Sequence, residues 1–324
     1  MLQPMTRSRE QPSMLAPPLP LGPGYNWSTH ILSQRFFWRT VARPINRWRC
    51  DSLGLDPVPF WGPFDLIYER KTPFIYGFSR FVVPRGGDWP DWHHIAGYWF
   101  LPREDAWSPP ADLVDFLERA SSPIYVGFGS MSGRPARELA DLAVEALRRA
   151  GQRAILLGGW AQAHERALPE TIYALESAPH DWLFPRVAAV VHHGGAGTTA
   201  AGLGAGRPTV IVPFFGDQPY WGRRVHELGV GPQPIMRSRL TVERLAAAIT
   251  QACTDETMAR RAAALGKQIR ARGWREPGRG AGGAVLRLLT QVCWTGRDAD
   301  WRRFCTHGGD AALNAAGTGT VSGP

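Results

Sequence analysis

Hydrophobic residues recur along the chain with two different spacings, and the change between them marks how the protein is organised. From Thr29 to Trp48 apolar side chains follow a helical period, which predicts an amphipathic helix. From Ala111 onward, short apolar runs alternate with helical patterns, as where the predicted strand PIYVGF precedes a helix over Glu138–Ala150. Strands that alternate with helices predict an α/β fold built on a parallel, doubly wound sheet.

The other predicted elements continue this alternation. Strands are expected at 153–157, 187–191 and 208–213, and helices at 112–120, 198–205, 220–228 and 242–270. Before them, the aromatic and proline-rich passage DWPDWHHIAGYWFLPREDAWSPP predicts no regular structure. Ligands of doubly wound sheets bind beyond the carboxyl ends of the strands, so functional residues are expected in the loops that follow strands.

Composition divides the chain into five segments. The first segment is rich in proline and is expected to be extended and poorly ordered. The last segment is rich in small and polar residues and is expected to be disordered. The segments are 1–24, an incomplete first domain over 25–100, a linker over 101–110, a Rossmann-like domain over 111–292, and the tail over 293–324.

Charge and cysteine usage narrow the classes of partner. A net charge of +9 favours anionic partners. The basic stretch 260–275 is either a solvated helix face or a peripheral membrane contact, and no motif supports nucleic-acid binding. Four scattered cysteines without a CxxC pair predict neither a metal site nor a disulfide framework. Because no apolar run of about 20 residues and no signal peptide is visible, we expect a cytoplasmic protein.

The strongest motif is a strand that runs into HHGGAGTT, where a helix is expected to begin. The first backbone N–H groups of a helix have no internal partner and attract phosphate. Gly195 and Gly197 lack the Cβ atoms that would hold a diphosphate at a distance. His193 adds a side-chain donor beside the same oxygens, and Thr198 and Thr199 offer a hydroxyl as a helix cap or a phosphate donor. A glycine-rich turn by itself is often only a turn, so the neighbouring loops decide the interpretation.

Three further loops carry polar groups to the same edge of the predicted sheet. Asp217 and Gln218 follow one strand and could bond adjacent sugar hydroxyls. The segment SAPHDW could hold a flat base by stacking and main-chain hydrogen bonds, and Ser130 ends the strand PIYVGF with a hydroxyl. Each alone could be an ordinary polar turn, but together they predict a nucleotide-sugar site.

The motifs GFGSM, APHDWLFPRVAAVVHHGGAGTTAAGL and PFFGDQPYWG resemble those of the UDP-glucosyltransferases of glycosyltransferase family 1, in the sterol 3-beta-glucosyltransferase branch. PINRWR and WPDWHHIAGYWF look like that family's first domain. The resemblance covers roughly residues 17–289. It implies the GT-B fold, in which a first Rossmann-like domain binds the acceptor and a second binds the UDP-sugar.

The resemblance also implies roles for single residues. Ser130 and His193 would contact the diphosphate together with the N–H groups of Gly195, Ala196, Gly197 and Thr198. Ala178 and His180 would hold the uracil, and Asp217 with Gln218 the sugar. The implied reaction is inverting transfer of a hexose, expected to be glucose, to a hydroxyl of an apolar acceptor such as a sterol, lipid or polyketide. No metal and no cofactor besides the donor are expected. The ribose-binding Glu of plant members would fall at Ala201.

The catalytic base of the family has no counterpart that the sequence identifies. In relatives a His or Asp in a Gly-rich loop near the first strand removes the acceptor's proton. No GGxGH-like or GTRGD-like element precedes Tyr125, and His30, His93 and His94 are candidates by chemistry alone. We therefore expect a chain that begins about two-thirds of the way into the first domain, with an exposed apolar surface where the missing strands would pack.

Two other functions compete with an autonomous glucosyltransferase. The run GAGTTA satisfies the GxGxxA fingerprint with Asp217 about 20 residues on, as in NAD-dependent oxidoreductases. Against this, the run follows two earlier strand–helix units instead of opening the domain. Alternatively, the chain is a catalytically incomplete half-enzyme that binds the UDP-sugar and needs a partner for the acceptor.

Overall fold

The computed structural model describes residues 6–100, 107–129, 134–157 and 168–271, and all of them belong to one unit, Met1–Gly273. The helices are α1 (Gly22–Leu53), α2 (Phe64–Glu69), α3 (Ala111–Glu118), α4 (Arg134–Ala150), α5 (His180–Leu183), α6 (Ala196–Ala205), α7 (Gln218–Glu227), α8 (Val242–Thr254) and α9 (Glu256–Ala271). The strands are β1 (Phe74–Tyr76), β2 (His93–Ile95), β3 (Ile124–Gly127), β4 (Ala154–Leu157), β5 (Ile172–Leu175), β6 (Val190–His192) and β7 (Thr209–Ile211).

Five parallel strands form the central sheet in the order β5-β4-β3-β6-β7. The chain leaves β3 in one direction through β4 and β5, then returns to β6 on the other side of β3 and continues to β7. The strand order therefore reverses between β3 and β6, where Gly127 pairs with His192. This reversal is the switch point at which doubly wound sheets open a crevice for a ligand. The predicted parallel, doubly wound α/β sheet is confirmed.

The central strands are buried on both faces, which explains why their sequences read as unbroken apolar runs. Along β3, Ile124 and Val126 pack with residues of α4 and α8, while Tyr125 between them packs with residues of α3 and α5. Alternate side chains of a strand point to opposite faces, so one four-residue strand anchors both helical layers.

The first hundred residues share a core with the sheet domain. The strands β1 and β2 form a separate parallel pair. Nearby, the buried side chains of Tyr76, Phe78 and Tyr98 belong to one apolar cluster with residues of α6, α7 and α9. Arg224 of α7 also donates from Nε to the carbonyl of Val82 at 3.0 Å. The linker expected at 101–110 stays a prediction because residues 101–106 lie outside the described part, but the two flanking parts of the chain are packed together.

The residues before α1 differ from the expectation of a poorly ordered segment over 1–24. Thr6 and Ser13 are buried, and the Thr6 hydroxyl lies 2.6 Å from the Tyr76 hydroxyl. Arg7 forms a salt bridge of 2.7 Å with Asp65. Short polar side chains fix this segment through long-range hydrogen bonds, which local composition does not reveal, and α1 already begins at Gly22.

Other differences concern the limits and the number of elements. The helix expected over 242–270 is two helices, because Asp255 leaves the helical conformation and its Oδ1 accepts the Met258 N–H at 2.9 Å, which caps α9. The strand β2 lies in the passage expected to be irregular, and β5 was not predicted. The predicted tail over 293–324 lies outside the described residues.

Candidate functional site

The loops that follow β3, β6 and β7 meet at the carboxyl edge of the sheet. After β3, a Cβ atom placed on Gly129 would lie 3.2 Å from Cε1 of His193, so the two loops are in contact. After β6, a Cβ on Gly194 would lie 3.2 Å from the carbonyl oxygen of Gln218 in α7. The switch point therefore brings His193, Asp217 and Gln218 into one region, as expected for loops at neighbouring strand ends.

The turn between β6 and α6 presents backbone N–H groups that pair with no described residue. Gly194 has a left-handed φ of +89°, and Gly195 is the extended residue before the helix. The first N–H with an intrahelical partner is that of Thr199, which donates to Gly195 O at 2.9 Å. The N–H groups of Ala196, Gly197 and Thr198 therefore remain for an anion, at the positive end of the helix dipole.

Glycine is required for different reasons at the two positions that flank Ala196. A Cβ on Gly195 would lie only 2.6 Å from Nε2 of His193, so the imidazole ring occupies that space. The Cβ position of Gly197, in contrast, meets no heavy atom within 4 Å among the described residues, and Gly197 is exposed. The described protein therefore gives no packing reason for a glycine at 197, whereas close approach of a ligand to the backbone does.

His193 is a half-buried side chain with one buried nitrogen that lacks a partner. No hydrogen-bonding atom of the described residues reaches its Nδ1. Burial lowers the pKa of His193 below its usual range, and the Asp217 carboxylate acts in the opposite direction. Because a buried unpaired nitrogen is costly, it indicates a place where a ligand or water completes the bonding.

The two adjacent threonines have different surroundings. The Thr199 hydroxyl is fully buried and donates to the carbonyl of Gly195 at 2.9 Å, so it stabilises the first turn of α6. Thr198 is half-buried, and its hydroxyl has no hydrogen-bond partner among the described residues. Of the two, Thr198 is thus the one that can reach a ligand.

Asp217 and Gln218 are both held by the protein, but to different degrees. Asp217 Oδ2 accepts the indole N–H of Trp221 at 2.9 Å, which fixes the carboxylate and leaves Oδ1 available to a ligand. Gln218 is buried, and its Oε1 accepts the N–H groups of Phe214 at 2.8 Å and Phe215 at 3.2 Å. Gln218 therefore braces the loop after β7, and only its amide nitrogen is left for a ligand.

The residues expected to hold the uracil lie beside the switch point. His180 stacks on Phe184, with ring centroids 4.3 Å apart, and meets the Tyr125 ring edge-on at 6.0 Å. Burial lowers the pKa of His180. Ala178 is half-buried and packs on the same cluster. Ser130 lies outside the described residues.

The candidate bases named from chemistry alone are used within the N-terminal part. His30 Nε2 bonds the carbonyl oxygen of Gln11 at 2.9 Å. His93 is buried, and its Nδ1 lies 2.5 Å from the Thr6 hydroxyl. His94 is half-buried. None of these observations connects a histidine of residues 6–100 to the turn after β6.

Sequence reasoning missed three residues that shape the site: His192, Tyr125 and Trp221. Tyr125 and Trp221 were missed because each reads as an ordinary core aromatic. His192 ends a buried strand and is itself fully buried, so the polar letter among apolar neighbours was the available signal.

The basic stretch in α9 and the metal-binding side chains bear on the expected partners. In α9, Arg270 donates to the Gly204 carbonyl and Arg260 pairs with Glu256 at 3.3 Å, so part of the basic stretch serves internal contacts. Within the described ranges, no helix is long and apolar enough to cross a bilayer, and no group of three metal-binding side chains occurs. The expected independence from metal stays a prediction.

Comparisons with known proteins agree with the family that the motifs resemble. Residues 154–275 match the family described as erythromycin biosynthesis protein CIII-like, C-terminal domain. The sterol 3-beta-glucosyltransferase of Cryptococcus neoformans var. neoformans serotype D is 40% identical in an alignment 292 residues long, and the match covers 82% of this chain and 18% of that protein. The chain spans about a fifth of the length of the curated relatives it matches.

Solved structures show the same fold. The glycotransferase of kitacinnamycin superposes with a TM-score of 0.60 at 22% identity, covering 82% of this chain and 67% of that chain. LpCGTa, solved in complex with UDP, gives a TM-score of 0.50 at 19% identity and covers 68% and 54%. The chain is thus a relative of sterol 3-beta-glucosyltransferases with the GT-B type of fold, and its residues 154–275 match the erythromycin biosynthesis protein CIII-like C-terminal domain.

Proposed function

We propose that the chain binds UDP-glucose and takes part in the inverting transfer of glucose to a hydroxyl of an apolar acceptor such as a sterol. The observation that carries the proposal is the turn from His193 to Thr198 at the switch point. Among the described residues, three N–H groups and one imidazole nitrogen have no partner there, and the space at Gly197 is open.

The donor contacts follow from the atoms that remain available. The N–H groups of Ala196, Gly197 and Thr198 and the imidazole of His193 bind the diphosphate. The uracil lies beside Ala178 and His180, and Oδ1 of Asp217 accepts from a glucose hydroxyl. Gln218 supports this arrangement mainly by holding the loop after β7.

The same groups favour the chemical step. The acceptor oxygen forms a bond to the anomeric carbon while the bond from that carbon to the diphosphate oxygen breaks, and the acceptor proton passes to a base. Negative charge grows on the leaving UDP, where the helix N-terminus and His193 stabilise it more strongly than in the bound donor. No described residue is assigned as the base.

The names of the relatives support the sterol class of acceptor, and the UDP complex of LpCGTa supports the nucleotide. The arrangement of the sheet disfavours an NAD-dependent oxidoreductase. The glycine-rich turn follows β6, the fourth strand of the sheet along the chain, and Asp217 lies beyond the end of β7 with its carboxylate on Trp221. In the dinucleotide fold the glycine-rich turn follows the first strand.

Binding measurements test the proposal. Calorimetry should show that UDP and UDP-glucose bind at submillimolar concentrations, whereas NADH does not. His193→Ala should weaken both nucleotides about tenfold or more, the loss of one charge-assisted hydrogen bond. Asp217→Ala should weaken UDP-glucose but not UDP, which lacks the sugar. Failure of the wild-type chain to bind UDP and UDP-hexoses at millimolar levels, or indifference of binding to both substitutions, would contradict the proposal.

A second candidate function is a donor-binding half that needs a partner polypeptide for the acceptor. It is favoured by an exposed aromatic surface made by α1 and the segment after it. Leu32 and Phe36 are 68% and 70% exposed, and Phe60 and Trp61 are 62% and 63% exposed. The guanidinium of Arg39 lies 4.2 Å from the Phe60 ring centre. Aromatic residues and arginine together are typical of protein interfaces.

A transfer assay separates the two candidates. The chain is incubated with UDP-glucose and a sterol, and glucosylated product is measured. Turnover by the chain alone would exclude the partner requirement. Intact UDP-glucose binding without turnover supports the partner requirement.

A peripheral membrane contact is the remaining proposal about partners. Co-sedimentation of the chain with anionic vesicles tests it.

A further inference from the structure

His192 lies directly before the proposed diphosphate turn and is fully buried at the end of β6. The N–H of Gly194 donates to its Nδ1 at 2.9 Å. An imidazole nitrogen that accepts carries no proton, so the proton of the neutral ring is on Nε2. Burial lowers the pKa of His192 to about 3, which keeps the ring neutral at physiological pH.

The bond to Gly194 is made at the one residue of the turn with a left-handed backbone. Gly194 has φ +89° and is buried, and a Cβ there would lie 2.7 Å from Cγ2 of Ile211. Its N–H points away from water and needs an acceptor within the protein, which Nδ1 of His192 supplies. Without that acceptor, the left-handed conformation would leave a buried donor unpaired.

This turn sets the direction of the groups on either side of it. His193 precedes Gly194, and the N–H groups at the start of α6 follow Gly195. A change in the backbone of Gly194 therefore moves the imidazole of His193 relative to the helix N-terminus, and both must face one diphosphate.

We propose that His192 is a positioning residue of the nucleotide-sugar site, whose Nδ1 holds the Gly194 turn and so aims His193 and the first N–H groups of α6 at the diphosphate. The inference rests on the proposed function. His192 itself does not touch the donor in this arrangement. Its Nε2 has no hydrogen-bond partner among the described residues, so the role is assigned to Nδ1 alone.

Three substitutions separate the two nitrogens. In His192→Asn the amide oxygen falls near the position of Nδ1 and can still accept from Gly194. In His192→Gln the longer side chain places its polar group near Nε2 instead, and His192→Leu removes both. UDP-glucose affinity is measured by calorimetry, with folding checked by circular dichroism.

We expect His192→Asn to bind within about threefold of wild type, and His192→Gln and His192→Leu to bind about tenfold more weakly, as for one lost hydrogen bond near 1.4 kcal/mol. Equal binding by all variants, or a loss in His192→Asn as large as in His192→Gln, would overturn the inference. If His192→Leu does not fold, the comparison of Asn with Gln still decides.

The wild-type protein separates this inference from the proposed function. Absence of UDP-glucose binding in the wild type refutes the proposed function and the inference with it. Binding by the wild type that does not depend on the residue at 192 refutes the inference alone.

Discussion

Replacing Gly197 with alanine should make the protein more stable and at the same time weaken its binding of UDP-glucose. Gly197 is the second residue of α6, is exposed, and has open space at its Cβ position. Alanine adopts helical backbone angles at a smaller entropic cost than glycine. The added methyl group would stand beside the N–H groups that we assign to the diphosphate.

The two effects have different sizes and opposite signs. A compatible Gly→Ala change in a helix stabilises by about 0.4–1 kcal/mol. For a unit of this size that corresponds to a rise in Tm of roughly 1–4 °C. Losing one charge-assisted hydrogen bond to phosphate costs about 1.5–3 kcal/mol, which is about a tenfold weaker Kd or more.

Gly24 provides a matched control because it is an exposed residue near the start of α1 whose Cβ position is also open. Gly24→Ala should raise Tm by a similar amount and leave binding unchanged. Thermal unfolding and calorimetry with UDP-glucose measure both quantities. If Gly197→Ala is stabilised and binds UDP-glucose as wild type does, the start of α6 is not the diphosphate site.

Three further predictions concern pH, packing and the sugar. Burial lowers the pKa of His192 from 6.5 to about 3, so below pH 6.5 the unfolded chain binds a proton that the folded chain does not. The free energy of unfolding therefore falls with pH, and this residue contributes a loss of about 2 kcal/mol at pH 5. Urea unfolding at pH 7, 6 and 5 should show a decline that is shallower in His192→Asn. Gly231→Ala should destabilise the fold by about 3 kcal/mol or more, because its Cβ would lie 2.1 Å from the Thr209 carbonyl oxygen; a urea midpoint equal to that of wild type would contradict this. Trp221→Phe removes the 2.9 Å hydrogen bond to Asp217. It should lower the affinity for UDP-glucose several-fold and leave the affinity for UDP unchanged, as calorimetry with both nucleotides would show.

The parts of the fold that the sequence predicted are those with local signals. The strands β3, β4, β6 and β7 appear as short apolar runs, since nearly all of their residues are buried, including those of β7 at the edge of the sheet. The three-residue β2 begins with two histidines and has no such run. The edge strand β5 (IYAL) has one that was missed, and there Tyr173 is only half-buried and Ala174 is exposed. The contacts of Thr6 with Tyr76 and of Arg7 with Asp65 join residues about sixty positions apart or more, and no local pattern encodes them.

The site was predicted in outline and not in detail. The position of the polar loops after predicted strands correctly predicted that His193, Asp217 and Gln218 lie at one edge of the sheet. The sequence could not show that the side-chain oxygen of Gln218 accepts the N–H groups of Phe214 and Phe215. Nor could it show that the Thr199 hydroxyl donates to the Gly195 carbonyl. Such choices depend on side-chain direction, which tertiary packing decides.

The apolar cluster that joins Tyr76, Phe78 and Tyr98 to α6, α7 and α9 has a consequence for dissecting the molecule. A shortened polypeptide that started at Trp107 would retain every strand of the central sheet, yet it would leave Ala200, Leu203 and Trp221 open to water. We expect such a fragment to aggregate, and limited proteolysis of the intact chain to spare the stretch from 74 to 100. The helix α6, whose first N–H groups we assign to the diphosphate, would thus lose the aromatic residues that shield its apolar face from water.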